Sequence, residues 1–472
     1  MTETTTVQAL TSERLKKAVA EDVAIRFFAR LQSAGGRGDK VFPPTYAGGQ
    51  YALESRVDED GVVKDVVLLD SVQSQANRME QALLAAHRAG RVTLPMISVS
   101  FSKIEQLKEL GDITVLDAPH RLADAILRDS MLNGALFPAT HEGQVLRRST
   151  PKNATELFQL CPTGLLFGIW ESTGAAGGLG VKFQRAIVSE IVGVGAVVGR
   201  RTASRIDPLQ IGRVPIYEVE GEGGGIPWTA NQSKAVQEGT NPDGTPKYRR
   251  YKISNRAKGV PSEVNHGNVT PDVARHRGEM LRLGRDVSEQ RIVRDRDGRI
   301  VQDRQERLLR DRDELPGGVT FEHASHTAVL SLAALRKLHF PLDGNADTST
   351  EARLVLAALG LFALTELRRD GYDLRSRCAL VLEGQPRLEI VKRDGTTDPI
   401  SLDENGAKAL MDAALGQAGA KKLVWRKQPV GLTPSAALVD LVLKSRKNGG
   451  IEVDGGEEGE EEEAAEETTS EA

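Results

Sequence analysis

The stretch LLDSVQSQANRMEQAL, residues 68–83, joins a predicted strand to a predicted helix and raises the question of function. It overlaps the β-branched and aliphatic run VVKDVVLL at 62–69, which predicts a buried strand. Asp70 or Ser71 then caps a helix whose apolar residues recur at helical spacing, and Gly90 ends it. The other positions of this helix are crowded with amides and hydroxyls, which an ordinary amphipathic helix does not require.

Further strands and helices alternate without the regular repeat of a doubly wound sheet. We predict strands at 187–198, 213–220 and 318–331, helices near 351–369, 403–418 and 434–445, and a hairpin of RCALVLE and RLEIVKR turned at Gly384, Gln385 and Pro386. This order favours an α+β domain with an antiparallel sheet.

The composition divides the chain into five predicted segments. They are an N-terminal segment 1–40, a first core part 41–220 with a glycine-rich loop, a basic insertion or arm 221–317, the rest of the core 318–446, and a disordered acidic tail 447–472. With 472 residues, of which 39% are hydrophobic, the chain can bury a sizeable core.

The two cysteines and the apolar runs indicate in which compartment the protein is expected. Cys161 and Cys378 are too few for a disulfide framework and lack the spacing of a metal site, which fits a reducing cytoplasm. The N-terminus has no basic start followed by an apolar stretch, so no secretory signal is expected. The apolar run 354–364 is shorter than the ~18 residues that span a bilayer. We expect a cytoplasmic protein without a membrane partner.

The net charge of −4 conceals two opposed regions. Residues 452–472 carry 11 acidic and no basic residues, so the rest of the chain has a net charge of +7. Segment 247–313, with 18 basic and 11 acidic residues, accounts for this surplus and includes the pair Arg249 and Arg250. Clustered cations predict a polyanionic partner, although a charge run is equally typical of a solvated surface.

The glycine-rich stretch GAAGGLG at 174–180 fails the known phosphate-loop patterns. Leu179 stands where a Walker loop needs glycine, and Phe183 stands where a dinucleotide fingerprint needs its third glycine. Its glycines can still bring backbone N–H groups close to a phosphate. A flexible turn between two strands is the alternative. The candidate residues in this loop are Gly174, Gly177, Gly178 and Gly180.

Basic residues flank the predicted strand 187–198 at both ends. Such a strand can deliver them to the rim of a sheet, along which a nucleic-acid backbone could run. Edge charges that prevent aggregation are the alternative. The candidates are Lys182, Arg185, Arg200, Arg201 and Arg205.

The polar residues of the opening helix recur three to four apart, away from its apolar positions. They are donors suited to phosphate and ribose oxygens, and they can hold a backbone without reading sequence. The candidates are Ser71, Ser74, Gln75, Asn77 and Arg78.

Catalytic and metal-binding patterns are missing from the sequence. His323 and His326, three apart on a predicted strand, should face opposite sides of the sheet. HExxH, GxSxG and aspartate-rich metal patterns do not occur. We therefore expect no cofactor, no metal and no enzymatic activity.

Four blocks of sequence carry a family resemblance. They are LLDSVQSQANRMEQAL, LLFGIWESTGAAGGLGVKFQRAIVSEIVG, KGVPSEVNHGNVTP and GGVTFEHASHTAVLSLAALRKLHFP. In this order, between about residues 40 and 445, the chain resembles the backbone subunit of the type I-G (formerly I-U) CRISPR Cascade complex. That subunit is a member of the RAMP superfamily in the seventh Cas family.

The resemblance implies an RNA-recognition-motif (ferredoxin-like) core with large finger and thumb insertions. It implies copies that form a filament on CRISPR RNA, contact other Cascade subunits and present the guide for pairing with target DNA in antiviral defence. The family's serine–glutamine pair and following basic residue correspond to Ser74, Gln75 and Arg78, and its glycine loop to Gly174–Gly180. The basic segment near 276–313 and the acidic tail depart from the family pattern.

Two other functions remain open on the sequence. One is a metal-dependent RNA endonuclease, which the resemblance implies because related backbone subunits of type III complexes cut target RNA with an aspartate. Asp70 is the position to suspect, although it is equally an ordinary helix cap. A general chaperone of single-stranded RNA is the third possibility.

Overall fold

A computed structural model describes most of the chain. The described residues are 7–46, 49–58, 60–171, 182–200, 202–205, 216–219, 228–241, 244–250, 269–273, 316–342 and 346–449. They fall into two compact units, one of Met1–Arg200 with Gly278–Leu438 and one of Arg201–Arg277 with Val439–Ala472.

Ten α-helices lie within the described residues. They are α1 (Ser12–Glu21), α2 (Val72–Arg88), α3 (Ala125–Arg128), α4 (Val145–Arg148), α5 (Thr155–Leu160), α6 (Pro162–Phe167), α7 (Leu332–Arg336), α8 (Ser349–Arg369), α9 (Glu404–Ala420) and α10 (Ala436–Gly449). Short 3-10 helices span Glu105–Leu110, Arg121–Ala123, Phe137–Ala139 and Gln232–Lys234.

The first half of the chain supplies strands β1 (Gln8–Ala9), β2 (Ala24–Ser33), β3 (Thr45–Tyr46), β4 (Gln50–Tyr51), β5 (Leu53–Val57), β6 (Val63–Asp70), β7 (Ile97–Ser100), β8 (Asp112–Thr114), β9 (Ser130–Leu132), β10 (Ala135–Leu136), β11 (Ile169–Trp170), β12 (Lys182–Phe183), β13 (Ile187–Val194), β14 (Val197–Arg200) and β15 (Thr202–Arg205). The rest of the chain supplies β16 (Tyr217–Glu218), β17 (Trp228–Thr229), β18 (Gln237–Thr240), β19 (Pro246–Tyr248), β20 (Val269–Val273), β21 (Pro316–Thr320), β22 (His323–Ser331), β23 (Pro341–Leu342), β24 (Ala346–Asp347), β25 (Tyr372–Arg375), β26 (Cys378–Leu382), β27 (Arg387–Val391), β28 (Thr397–Ser401) and β29 (Val430–Pro434).

One large sheet organises the first unit. Its strands lie in the order β1-β28-β27-β2-β22-β13-β6-β5, with β26 also paired to β2 and to β25. All neighbours are antiparallel except β1 and β28, which confirms the predicted α+β class with an antiparallel sheet. Along the chain, β2, α2, β13, β22, α8 and β27 occur in the order β-α-β-β-α-β, with other elements between them.

The helices cover one face of this sheet. Alternate residues of β2 point to opposite faces, so Phe27 is buried whereas its neighbour Phe28 is partly exposed. Helix α8 contacts β22, α2 and α9, and nearly all of its residues from Ala352 to Glu366 are buried. A helix that is apolar on every side requires such enclosure, which explains the apolar run at 354–364. Within the described chain, no helix combines the length and apolarity that crossing a bilayer requires.

Smaller sheets complete each unit. In the first unit, five strands lie in the order β10-β9-β29-β7-β8. In the second unit, the described strands form the pairs β15–β20, β16–β17 and β18–β19. The helix or hairpin predicted near 276–313 lies outside the described residues.

The predicted hairpin at Gly384–Pro386 is wrong. Leu382 lies opposite Leu31 and Arg387 opposite Phe28, so β26 and β27 follow the same edge of β2 in one direction. Because β2 is ten residues long, its edge accommodates both strands, and the chain between them bulges without reversing. The predicted strand 187–198 is also divided, since Gly195 (φ 68°) turns the chain between β13 and β14.

The coverage of one sheet face can be tested at β2. Replacing Phe27 with alanine should lower the free energy of unfolding by about 3–5 kcal/mol, because it leaves a cavity under the helices. Replacing Phe28, whose ring lies 4.8 Å from the Arg387 guanidinium, should cost only about 1–2 kcal/mol. Urea denaturation of both variants measures the difference. Equal losses would mean that both faces of β2 are covered.

Candidate nucleic-acid interface

The site is built around the buried carboxylate of Asp70. A bulge in the pairing of β6 with β13 places both Leu69 and Asp70 in the interior at the end of β6, and each is 0% exposed. Helix α2 starts immediately afterwards, capped by Ser71, whose side chain accepts a hydrogen bond from the Ser74 N–H. Asp70 therefore lies beside the first turns of α2, where a buried negative charge needs several donors.

Four side chains supply those donors. The Ser74 hydroxyl donates to Asp70 Oδ1 at 2.7 Å and the Gln75 amide to Oδ2 at 2.6 Å. Arg78 Nε donates to Oδ2 at 3.0 Å, and Arg375 Nη2 on β25 lies 3.5 Å from Oδ1. Arg78 also donates to the Leu374 carbonyl, which ties α2 to β25.

A chain of hydrogen bonds continues from Gln75 through the sheet. The Ser189 hydroxyl donates to Gln75 Oε1 at 2.9 Å, so its oxygen must accept from His326 Nε2 at 2.8 Å, since a hydroxyl has one hydrogen. The other ring nitrogen, Nδ1, then accepts from the Tyr372 hydroxyl at 3.1 Å. Every donor in this chain points toward Asp70, and the order requires a neutral imidazole.

Burial enforces that neutral state. His326 is 0% exposed, and desolvation together with the Arg368 charge lowers the pKa of His326 to about 3. Burial likewise raises the pKa of Tyr372, which keeps its hydroxyl protonated as a donor. His323 lies on the other face of the strand, as the spacing of the two histidines predicts.

Gln75 requires a correction to the expectation of an exposed donor. It is 1% exposed, and both its amide nitrogen and its carbonyl oxygen have partners inside the protein. Its role in this structure is to position Asp70. Ser74 and Arg78 also contact Asp70, but both remain partly exposed.

The outward side of α2 carries a second set of amides. Gln73 and Asn77 are exposed and form no hydrogen bond to the described part of the chain. Ser74, Asn77 and Arg78 line a groove of about 510 Å³, whose opposite wall includes Asp370 and Asp373. The crowding of polar residues in α2 therefore has two causes, an inward set that binds Asp70 and an outward set that stays free.

A buried arginine connects α2 with the base of the glycine-rich loop. Arg121 binds both oxygens of Glu80 on α2 at 2.6 and 2.8 Å and donates to the Gly168 carbonyl at 3.0 Å. Burial raises the pKa of Glu80 to about 7, although Arg121 acts in the opposite direction. Arg121 has a φ of 53°, an uncommon conformation for a residue with a side chain that is typical of functional or tightly held positions.

The base of the glycine-rich loop presents an aromatic ring and two cations. Strands β11 and β12 pair and enclose the loop, so Trp170 lies opposite Lys182. The Trp170 ring is 59% exposed, and the Lys182 ammonium lies 5.4 Å from its centre. Arg185 is exposed and has no ion-pair partner among the described residues. Such a combination suits a sugar-phosphate chain with its bases.

The other predicted residues are only partly described. The predicted glycines Gly174, Gly177, Gly178 and Gly180, together with Arg201, lie outside the described residues. Arg200 ends β14 and Arg205 ends β15, with no side-chain description. In the second unit, Arg249 pairs with Glu218 at 3.4 Å, and the Arg250 guanidinium lies 5.3 Å from the Tyr217 ring centre.

The face of the large sheet opposite to the helices contrasts with the α2 site. It holds a cavity of about 550 Å³ with several cations on its walls. Arg30 pairs with Glu383 at 3.3 Å, Arg56 with Glu190 at 2.7 Å and Lys64 with Glu322 at 2.9 Å. These cations are neutralised within the protein, so the face is poorly suited to a polyanion.

Comparison with known proteins points to one family. Residues 25–198 match the model of a family described as CRISPR-associated protein GSU0053. The match covers 174 of the 472 residues, so it indicates a likeness to a CRISPR-associated protein family. No curated protein matches the chain.

The matched region, which begins in β2 and ends in β14, contains α2 and the glycine-rich loop. It therefore contains Asp70, the free amides of α2, Arg121 and the cations at the base of the loop. The partners from β22 and β25 lie beyond it.

Sequence reasoning missed several residues that complete the site. Arg375 and Tyr372 reach it from about 300 positions further along the chain, and no spacing in the sequence connects them with Asp70. Trp170 was not singled out, although an exposed aromatic residue beside a glycine-rich loop is a usable signal.

The neutral state of His326 predicts a specific acid sensitivity. The folded pKa of about 3 lies below the unfolded value of about 6.5, so this group stabilises the fold above pH 6.5 and loses that contribution as the pH falls toward 3. Between pH 8 and pH 5 the loss amounts to about 2 kcal/mol. Urea midpoints measured at both pH values should show it in the native protein.

The matched variant is His326→Gln, which cannot be protonated and can still donate to Ser189. The variant should be less stable than the native protein at pH 8. Between pH 8 and pH 5, its free energy of unfolding should fall by about 2 kcal/mol less than that of the native protein. An unchanged acid sensitivity in this variant would contradict the assignment to His326.

Proposed function

We propose that this chain is a guide-RNA-binding backbone subunit of a type I-G CRISPR Cascade complex. Several copies would lie along one CRISPR RNA, contact other Cascade subunits and present the guide for pairing with target DNA. The observation that carries the proposal is the outward donor set of α2, together with Lys182 and Arg185, which follow the glycine-rich loop in the sequence and have no ion-pair partner in the described chain.

Rigid positioning supports this function. The inward contacts of Ser74, Gln75 and Arg78 to Asp70 fix the first turns of α2 on the sheet. Gln73 and Asn77 then extend from a fixed backbone, so little conformational freedom is lost when they bind phosphate or ribose oxygens. Donors held in this way can grip RNA of any sequence.

Charge supports the same conclusion. Lys182 and Arg185 lie at the base of the loop, and Arg185 has no ion pair in the described structure. They can neutralise phosphates, while the exposed Trp170 ring can stack with a base. Such contacts are independent of sequence, which suits a complex in which base pairing reads the target. Because base pairing would read the target and the protein would only hold the guide, we propose a non-catalytic role for this chain.

Co-expression with a CRISPR array tests the proposal directly. The purified chain should retain guide RNA, seen as nucleic acid of defined length in the preparation. The double variant Gln73→Ala/Asn77→Ala should weaken guide binding about tenfold, since each lost hydrogen bond costs about 0.5–1.5 kcal/mol. The loss should be the same for every spacer sequence.

Gln106→Ala is the matched control, because Gln106 is an exposed amide on another helix without a described partner. It should bind guide RNA like the native chain. Protein that emerges free of RNA and does not bind guide RNA at low salt would overturn the proposal. Equal affinity for RNA without a CRISPR repeat would favour a general RNA chaperone.

The endonuclease alternative depends on Asp70, and the contacts of this residue weigh against it. Its carboxylate is fully buried and surrounded by four donors, which leaves little room for a metal ion. Over the described ranges, no group of three or more His, Cys, Asp or Glu residues is arranged to hold one.

Complementary RNA decides between the two functions. The assembled complex, incubated with target RNA and Mg²⁺, should leave the RNA intact. Cleavage at regular intervals that disappears in Asp70→Asn would establish the endonuclease. Circular dichroism of the variant must accompany this assay, because loss of the buried charge should itself destabilise the fold by about 3–5 kcal/mol.

A further inference from the structure

A second basic surface lies far along the chain from the α2 site. The segment KKLVWRK, residues 421–427, joins α9 to β29 and exposes four cations, which we call the basic strip. These are Lys421, Lys422, Arg426 and Lys427. Arg426 pairs with Glu142 at 2.9 Å, whereas the three lysines have no ion-pair partner in the described part of the chain.

Apolar surface lies between these cations. Val424 is 48% exposed, and together with Leu94, Leu415 and Leu423 it lines a groove of about 180 Å³. Val424 and Trp425 also line a second groove of about 300 Å³, whose walls include Val145 and Leu160. The indole Nε1–H of Trp425 is buried beneath this surface and has no acceptor among the described residues.

The surface therefore suits an acidic segment that also carries aliphatic side chains. A sugar-phosphate backbone satisfies the lysines but offers nothing to Val424 and the groove. A peptide that carries both acidic and aliphatic residues satisfies both, since its carboxylates can pair with the lysines while its aliphatic side chains cover Val424 and the groove.

The chain itself contains such a segment. The stretch IEVD, residues 451–454, alternates aliphatic and acidic residues, and residues 452–472 contain 11 acidic and no basic residues. We propose that the basic strip of one copy binds the acidic tail, residues 450–472, of a second copy.

This contact would be heterologous, because each copy offers a strip and a tail that are different surfaces. Contacts of this kind continue from copy to copy and do not close into a dimer. The inference gains from the proposed function, since copies aligned on one RNA would hold strip and tail at high local concentration. It does not require RNA, so the two can be tested separately.

Zero-length carbodiimide cross-linking of the full chain, freed of nucleic acid, tests the contact. The tail has no basic residue, so trypsin releases it as one peptide, residues 448–472. This peptide should be cross-linked to the strip lysines about ten times more often than to three control lysines. The controls are Lys16, Lys103 and Lys152, which are exposed and have no ion-pair partner in the described chain. Three exposed ion pairs of about 0.5 kcal/mol each correspond to about a tenfold preference. In an equal mixture of ¹⁴N-labelled and ¹⁵N-labelled chains, half of the cross-linked peptide pairs should join one ¹⁴N peptide to one ¹⁵N peptide, because the contact forms between copies. High salt should abolish these cross-links, because it screens the ion pairs.

Matched variants give a second measurement. Lys421→Gln/Lys422→Gln/Lys427→Gln should weaken the association of full chains about tenfold in analytical ultracentrifugation at low salt, whereas Lys16→Gln/Lys103→Gln/Lys152→Gln should not. Cross-links spread evenly over all exposed lysines would overturn the proposal. If every cross-linked pair carries a single isotope, the strip binds the tail of its own copy. If the strip lysines become protected from chemical modification only after RNA or DNA is added, the strip binds nucleic acid. Either result also rejects the inference and leaves the proposed function standing.

Discussion

The buried charge of Asp70 is the constraint on which the site depends. A carboxylate that is fully removed from water is tolerated only when several donors surround it. Here those donors come from α2 and β25, and the hydrogen-bond chain extends through β13 and β22 to Tyr372. One charge therefore ties two strands of the sheet centre, an edge strand and the first helix of the core into one arrangement.

This constraint explains why α2 is both polar and rigid. Residues four apart on a helix share a face, so Gln73 and Asn77 fall on the outer side while Gln75 points into the sheet. The inner contacts use the charge of Arg78 to balance Asp70, which leaves the outer face with neutral donors. Under the proposed function, α2 would grip RNA by hydrogen bonds, and the free cations at the glycine-rich loop would balance phosphate charge.

Local patterns in the sequence predicted the elements well and the site only in part. The spacing of apolar residues identified β6, α2, α8 and α9, because the buried side of each element is written in its own sequence. The excess of amides at 68–83 pointed to the right helix. It could not tell Gln75 from Asn77, since that distinction depends on a bulge in β6 and on partners from β13, β22 and β25. The hairpin at Gly384 failed for a similar reason, because the long edge of β2 overrode the local turn signal.

The uncovered sheet face shows why the number of cations alone is a poor guide to function. Arg30, Arg56 and Lys64 lie around its cavity, yet each is paired with a glutamate. A bound polyanion would have to displace those glutamates and leave them beside its own phosphates, and this like-charge repulsion opposes binding. Arg185 and the lysines of the basic strip have no such partner in the described chain. The free cations, not the most numerous ones, therefore mark the surfaces where an anionic partner can bind.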